Sequence, residues 1–202
     1  MKLYFAPGAS SLTPHIALRE AGLAFELEQV DHRQKKTKDG GDYRSINPKG
    51  QVPALRLDDG QILTEAAVVV QYIADQKPAA KLAPPAGGMA RYRLQEWLNF
   101  IASEMHKEVG ALFDRNASNE SKAQQKEMLV PKFEYLAQAL AGRDYLMGDQ
   151  FTVADGYLYN ILRWARLNKI DLARWPALAA FMQRVEARPA VQAALKAEGL
   201  IK

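Results

Sequence analysis

Short apolar blocks separated by turn residues occupy the first third of the chain, a pattern typical of a mixed α/β domain. Residues 2–5 (Lys-Leu-Tyr-Phe) predict a strand, which the breaker Ala-Pro-Gly at 6–8 ends. Residues 11–22 have helical periodicity, and Gly22 stands where a C-terminal cap is expected. Residues 25–30 alternate apolar and polar positions, which predicts a second strand.

A hairpin and a helix follow the charged segment 33–41. Residues 52–57 and 61–63 flank Asp-Asp-Gly, a strong hairpin signal, and residues 66–75 form an apolar helix. The order is therefore β-α-β, loop, β-β-α. Because a βαβ unit is a parallel, right-handed crossover, we expect four strands in a mixed sheet with helices packed on it, a thioredoxin-like layout.

The remainder of the chain predicts helices only. A segment rich in Pro, Ala and Gly at 78–88 indicates a linker, which divides the chain into domains 1–77 and 89–202. Beyond it, apolar residues recur at spacings of three and four, which predicts an all-helical domain. Its helices are expected at 89–115 and 121–141, after a capping box formed by Thr152 and Asp155, after Trp175-Pro176, and after Arg188-Pro189.

Composition then narrows the chemistry. The chain of 202 residues contains no cysteine, which excludes disulfides, thiolate metal ligands and a protein thiol nucleophile. Its three histidines, at 15, 32 and 106, form no close pair, so we expect no metal site. No apolar run is long enough for a membrane span or a signal peptide, and we therefore expect a cytoplasmic protein. The net charge of +4 is compatible with small anions and, less well, with nucleic acid.

The turn between the first strand and the first helix is a candidate anion site. Ser10 and Ser11 are delivered to a helix N-terminus, where unpaired N–H groups and the helix dipole favour negative charge. The simpler interpretation is that one serine only caps the helix. The residues alone favour the cap.

Three other groups of residues carry possible chemistry. Val52-Pro53 can be a cis bond that exposes the Val52 backbone, or an ordinary trans proline that starts a strand. Glu65 at a helix start can pair with an amine while the following N–H holds a carboxylate, or it can be a plain first-turn acid. The third group is a polar stripe on one helix, formed by Asn99, Ser103 and His106 with Glu104 and Lys107 beside it.

Together these segments resemble a bacterial glutathione S-transferase of the beta class along essentially the whole chain. The most specific stretch is Asn47 to Pro53 followed by Thr64-Glu65. The resemblance implies a thioredoxin-like domain of order β-α-β-α-β-β-α with a mixed sheet, a C-terminal all-helical domain and a homodimer. The other segments that carry it are residues 1–4, 7–9, 14–20, 97–100, 106–107, 151–155 and 197–200.

The resemblance also assigns a role to individual positions. Val52, before a cis Pro53, would pair its backbone with the cysteinyl unit of glutathione, and Glu65 with the Ala66 N–H would hold the γ-glutamyl end. The resemblance also implies that Lys35 contacts the glycine carboxylate of glutathione and that Trp164 forms a wall of the electrophile pocket. His106 and Lys107 would approach glutathione from the helical domain. Three further residues would contact glutathione across the dimer: Asn99, Ser103 and Glu104.

Two positions depart from the beta-class pattern. Ala66 stands where serine is frequent, and Ser10 stands where the beta class has cysteine. The protein is therefore expected to activate the thiol of glutathione for attack on small hydrophobic electrophiles without a covalent enzyme intermediate. Ser10 or Ser11 would stabilise the thiolate, and His106 is a candidate for polarising the substrate. The alternative is a non-catalytic binder of glutathione or hydrophobic ligands on the same scaffold; neither a metal nor nucleic acid is expected as a partner.

Overall fold

The structure is a computed structural model that describes residues 1–202. Its internal contacts divide the chain into two compact units, one formed by residues 1–83 and 188–202, and the other by residues 84–187. The predicted division by chain order assigned the C-terminal segment to the helical domain, whereas its contacts place it in the first unit. No helix in the structure combines the length and the apolar character needed to cross a membrane.

The first unit is built on a five-stranded mixed sheet. The strands are β1 (Lys2–Phe5), β2 (Glu26–Asp31), β3 (Lys36–Thr37), β4 (Ala54–Arg56) and β5 (Ile62–Thr64), in the order β3-β2-β1-β4-β5. β1 runs parallel to β2, and every other pairing is antiparallel. The expected mixed sheet and thioredoxin-like fold class are therefore confirmed.

Two details of the predicted order were wrong. The sheet has a fifth strand because Lys36 and Thr37, inside the charged segment, pair with Asp31 and Val30 at the edge of β2. A two-residue strand without an apolar pattern has no periodicity to reveal it. The helix expected between β2 and the hairpin is only a 3₁₀ turn at Tyr43–Ser45.

Three helices complete the first unit: α1 (Leu12–Ala21), α2 (Ala66–Gln76) and α8 (Pro189–Ala197). Gly22 ends α1 in the left-handed conformation that its sequence position predicted. α8 packs against α1, and Arg188 donates two hydrogen bonds, of 2.6 and 2.8 Å, to the Glu20 carboxylate. The last helix therefore belongs to the layer that carries the β1–α1 turn.

The second unit is all helical, as expected. Its helices are α3 (Met89–Phe100), a π-helical segment (Ile101–His106), α4 (Lys107–Ala111), α5 (Asn119–Ala139), α6 (Val153–Leu167) and α7 (Pro176–Glu186). The helix predicted over 89–115 is interrupted by the π turn and ends at Ala111. The Ser103 hydroxyl of the π-helical segment donates to the Asn99 carbonyl of α3 at 2.9 Å.

The capping box at the start of α6 is confirmed. The buried Asp155 carboxylate accepts hydrogen bonds from the N–H and the hydroxyl of Thr152, at 2.7 and 2.8 Å, and from the Leu146 N–H at 2.8 Å. Burial raises the pKa of Asp155 to about 6, although these donors favour the charged form. The side chain therefore fixes both the helix start and the loop before it.

Replacing Asp155 by alanine should destabilise the fold. The change leaves buried donors of Thr152 and Leu146 without an acceptor, at a cost of about 1–3 kcal/mol each in the free energy of unfolding, measured by urea denaturation. Between about pH 4 and 6 the folded carboxyl holds a proton that the unfolded one has lost, so wild-type stability relative to Asp155→Ala should fall as pH rises through that window.

The control is Asp149→Ala, six residues earlier on the exposed surface, which should change the free energy of unfolding by less than about 0.5 kcal/mol. A stability difference between wild type and Asp155→Ala that rises or stays constant from pH 4 to 6 would contradict the raised pKa.

Candidate active site

The β1–α1 turn presents two serines with different surroundings. Ser11 is fully buried, and its hydroxyl donates to the Ala6 carbonyl at 3.2 Å while accepting from the Ala6 N–H at 3.1 Å. It stands at the N-cap position of α1 but makes no capping hydrogen bond, so the simpler cap interpretation was wrong. Its hydroxyl instead closes the turn.

Ser10 faces the neighbouring loop instead. Its hydroxyl donates to the Val52 carbonyl at 2.8 Å, and 8% of the residue is exposed. The Val52-Pro53 bond is cis, the form that the resemblance implied. Of the residues predicted from sequence, the structure thus brings Ser10 and Val52 into direct contact at the N-terminal end of α1.

The loop that presents Val52 is held by a buried tyrosine and an asparagine. The Tyr43 hydroxyl and the Asn47 side-chain amide both donate to the Gln51 carbonyl, at 2.9 and 2.6 Å. Burial raises the pKa of Tyr43 to about 12, so its hydroxyl remains a donor at neutral pH. The loop therefore keeps its shape through side chains that belong to its own unit.

Lys35 and Glu65 flank this loop, both in the left-handed region of backbone conformation. Their φ angles are +56° and +70°, uncommon values for residues with a side chain. The Lys35 side chain lies over Gly50, and the Glu65 carboxylate forms an ion pair with Lys49. Ala66 begins α2 and is buried. The Glu65 carboxylate is therefore paired with an ammonium of its own chain, and its predicted role toward a ligand stays a prediction.

The turn that carries Ser10 is tied to the C-terminal segment by a buried carboxylate. Glu198 accepts from the Gly8 N–H through Oε2 and from His15 Nδ1 through Oε1, both at 2.8 Å. Arg19 Nε donates to His15 Nε2 at 2.9 Å, which assigns the imidazole hydrogen to Nδ1. Arg19, His15, Glu198 and Gly8 thus form one continuous hydrogen-bonded row.

In the second unit, His106 lies in an aromatic group. Its Nδ1 is 2.6 Å from the Tyr157 hydroxyl, and its ring packs edge-on against Trp164 with centroids 4.9 Å apart. The ring of Phe113, which is 47% exposed, also packs edge-on against Trp164, with centroids 5.8 Å apart. His106 and Trp164, which were predicted separately from the sequence, are therefore in contact. Tyr157 was missed as a site residue, although its spacing of seven from Trp164 places both on one face of α6.

The remaining predicted residues of the polar stripe are separate from that group. Lys132 of α5 forms ion pairs with Glu104, at 2.6 Å, and with Glu108. Burial alone would lower the pKa of Lys132, but the two carboxylates raise it, and the Lys132 hydrogen bond holds the pKa of Glu104 low. Asn99 and Lys107 are exposed.

Comparison with known proteins decides the family. Residues 9–76 match the glutathione S-transferase N-terminal domain, and residues 100–189 match the glutathione S-transferase C-terminal domain. Glutathione S-transferase GstA of Escherichia coli O157:H7 is 47% identical over 200 residues, which cover 99% of this chain and 100% of the relative. The chain belongs to the glutathione S-transferase family.

Solved structures of bacterial glutathione S-transferases support the same assignment. A ternary complex of BphK is 54% identical with a TM-score of 0.96 and covers 98% of this chain and 100% of that one. A sphingomonad glutathione S-transferase complexed with glutathione is 50% identical with a TM-score of 0.95, and a beta-class transferase of Sphingomonas chungbukensis is 45% identical with a TM-score of 0.96. Each of the latter two covers 100% of both chains. The protein is an enzyme of the glutathione S-transferase type.

The buried carboxylate of Glu198 makes this transferase sensitive to a conservative change. Glu198→Gln offers one oxygen where two donors, the Gly8 N–H and His15 Nδ1, each require one. Its NH₂ group would face a donor, so we expect a loss of about 1–3 kcal/mol in the free energy of unfolding, measured by circular dichroism in urea.

The matched control is Glu26→Gln, an exposed glutamate of the same unit whose ion pair with Lys2 is solvated. It should remain within about 0.5 kcal/mol of wild type. If Glu198→Gln had the same free energy of unfolding as wild type, the carboxylate would not be accepting from both donors.

Proposed function

We propose that Ser10 stabilises the thiolate of bound glutathione, which then attacks a small hydrophobic electrophile. The observation that carries the proposal is the position of the Ser10 hydroxyl, at the N-terminal end of α1 and 2.8 Å from the Val52 carbonyl. A hydroxyl hydrogen bond and the positive end of a helix dipole both favour the charged form of a thiol, and each unit of pKa lowering corresponds to about 1.4 kcal/mol.

Ser10 is preferred to Ser11 because of their hydrogen bonds. The single hydrogen of Ser11 is committed to the Ala6 carbonyl within a fully buried turn. Ser10 is the less completely buried serine of the pair, at 8% against 0% exposure, and it contacts the backbone of Val52, where the cysteinyl unit is expected. This supports a catalytic role for Ser10 and a structural role for Ser11.

Ser10 also stands where the beta class carries cysteine, and the chain contains no cysteine elsewhere. A mixed disulfide between protein and glutathione therefore cannot form, and the only thiol in the reaction is that of the substrate. The thiol proton passes to water, the sulfur forms the new S–C bond, and the leaving group departs with its electron pair. Ser10 keeps its own proton throughout.

The other residues of the first unit are proposed to orient glutathione. Lys35 meets the glycine carboxylate, Val52 before Pro53 pairs with the cysteinyl backbone, and Glu65 with the Ala66 N–H holds the γ-glutamyl end. The Lys49 ammonium paired with Glu65 supports this, because it shows which charge the carboxylate accepts. The γ-glutamyl ammonium would replace Lys49 or share the carboxylate with it.

For residues of the second unit, the roles that the resemblance implied are kept as proposals. Trp164 forms a wall of the pocket, and His106 polarises the electrophile, with its ring orientation held by the Tyr157 hydroxyl. Lys107 is an exposed cation available to an anionic ligand. Asn99, Ser103 and Glu104 are proposed to reach glutathione across a homodimer.

Exposed apolar and aromatic side chains on α3 and α5 support the homodimer. Tyr135, 50% exposed, packs against Trp97 and Phe100 with ring centroids 5.6 and 5.3 Å away, and Tyr92 on α3 is 58% exposed. Large apolar patches left open to water commonly mark protein interfaces.

We propose that the enzyme acts in the cytoplasm, where thiols are kept reduced.

The alternative, a binder without turnover, is less well supported. The relatives that match the whole chain are named transferases, and the first unit retains a hydroxyl at the position that would contact the sulfur. Conjugation is therefore the activity favoured for this chain.

The test compares Ser10→Ala, Ser11→Ala and Ser10→Thr. Ser10→Ala should raise the pKa of bound glutathione by about one unit or more, measured by thiolate ultraviolet absorbance against pH, and lower conjugation roughly tenfold at pH 6.5. Ser10→Thr keeps the hydroxyl and should remain near wild type, whereas Ser11→Ala should lower stability without moving that pKa.

Calorimetry with glutathione accompanies these assays. An unchanged thiolate pKa in Ser10→Ala would contradict the serine role, and tight glutathione binding without turnover of any aryl halide or epoxide would favour the non-catalytic binder.

The dimer is tested separately by sedimentation. Tyr135→Glu places a charge on the aromatic group of α3 and α5 and should convert a dimer to monomers, while Leu167→Glu, at a residue of α6 that is 64% exposed, should not. A monomeric wild type, or a Tyr135→Glu variant that remains dimeric, would count against this interface.

A further inference from the structure

The hydrogen of the Ser10 hydroxyl is committed to another acceptor when no substrate is bound. A serine hydroxyl has one hydrogen, and here it is donated to the Val52 carbonyl at 2.8 Å. Both residues are largely buried, at 8% and 6% exposure. To stabilise a thiolate, Ser10 must turn this hydrogen away from Val52.

The acceptor that holds the hydroxyl is the group that the proposed function assigns to the substrate backbone. In that pairing, the N–H of the cysteinyl unit donates to the Val52 carbonyl. An amide N–H is a strong obligatory donor, and leaving it unpaired in a desolvated site is costly. The substrate amide and the Ser10 hydroxyl therefore compete for one carbonyl.

We infer that this carbonyl couples substrate recognition to thiol activation. When the cysteinyl N–H binds Val52, the Ser10 hydroxyl rotates about its Cβ–Oγ bond and donates to the sulfur instead. One hydrogen bond is given up, and two are formed, of which the bond to the thiolate is charge-assisted and therefore the stronger kind. The thiol proton leaves to water, and the serine proton remains on oxygen.

This inference rests on the proposed function and adds a requirement to it. The full effect of Ser10 on the thiol should appear only in ligands that carry an N–H next to the reacting cysteine. When the bound thiol has no such N–H, the Ser10 hydroxyl stays hydrogen-bonded to the Val52 carbonyl. The thiolate is then stabilised mainly by the positive N-terminal end of α1. Val52 thus acts as a positioning residue through its main chain, which no side-chain substitution removes.

The experiment is a four-way comparison of two ligands and two proteins. The ligands are glutathione and its depsipeptide analogue, in which an ester oxygen replaces the N–H of the γ-glutamyl-cysteine link. The proteins are wild type and Ser10→Ala. Bound-thiol pKa is read from thiolate absorbance, with the pKa of each free ligand subtracted.

In wild type, the protein-induced lowering of the thiol pKa should be larger for glutathione than for the analogue by about one unit, which is a tenfold difference in thiolate fraction. In Ser10→Ala, this difference between ligands should disappear. An equal difference between ligands in both proteins would overturn the coupling.

A second measurement is used in case the analogue binds too weakly to saturate the protein. kcat/KM for conjugation needs no saturation, and the ratio of the glutathione value to the analogue value should be about tenfold larger in wild type than in Ser10→Ala. Equal ratios would overturn the inference. Failure of the proposed function is seen separately, as an unchanged glutathione pKa in Ser10→Ala, whereas additive effects of ligand and mutation refute the coupling alone.

Discussion

The buried carboxylate of Glu198 is the constraint on which the β1–α1 turn depends. A charge removed from water is tolerated only when hydrogen bonds replace hydration, and here the Gly8 N–H and His15 supply them. The same two bonds fix the turn between β1 and α1, and with it the direction in which Ser10 points. The hydrogen bonds that position Ser10 are therefore the same ones that stabilise the first unit.

The geometry of the β1–α1 turn shows what the absence of cysteine changes chemically. A thiolate nucleophile supplied by the protein would compete with the substrate for the helix N-terminus, whereas a hydroxyl there remains protonated and acts as a donor. The fold thus retains the electrostatics of the thioredoxin-like site while the reacting sulfur arrives with the ligand.

Much of the fold could be predicted because its signals are local. The capping box at Thr152 and Asp155, the Gly22 helix end and the α5 periodicity depend on residues within a few positions of one another. β3 escaped prediction because two charged or polar residues form an edge strand through backbone pairing alone. The π turn at Ile101–His106 likewise leaves the apolar spacing of the long helix almost unchanged.

The candidate site likewise contains residues that the sequence could name and residues that only the structure could identify. Motif residues such as Val52, Glu65 and Ser10 could be named from the sequence, but the choice between Ser10 and Ser11 required knowing which carbonyl each hydroxyl meets. Tyr157 and Lys132 are separated from their partners by 51 and 28 positions, distances over which residue pattern carries no information about pairing.

The link between Gly8 and Glu198 has a consequence for biosynthesis. The two partners are 190 positions apart, so the nascent chain completes its strands and α1 long before the residue that secures the turn has been synthesised. Until then, the Gly8 N–H and His15 lack their acceptor. The turn that carries Ser10 therefore obtains its acceptor only after the 190 positions that separate the two partners have been synthesised.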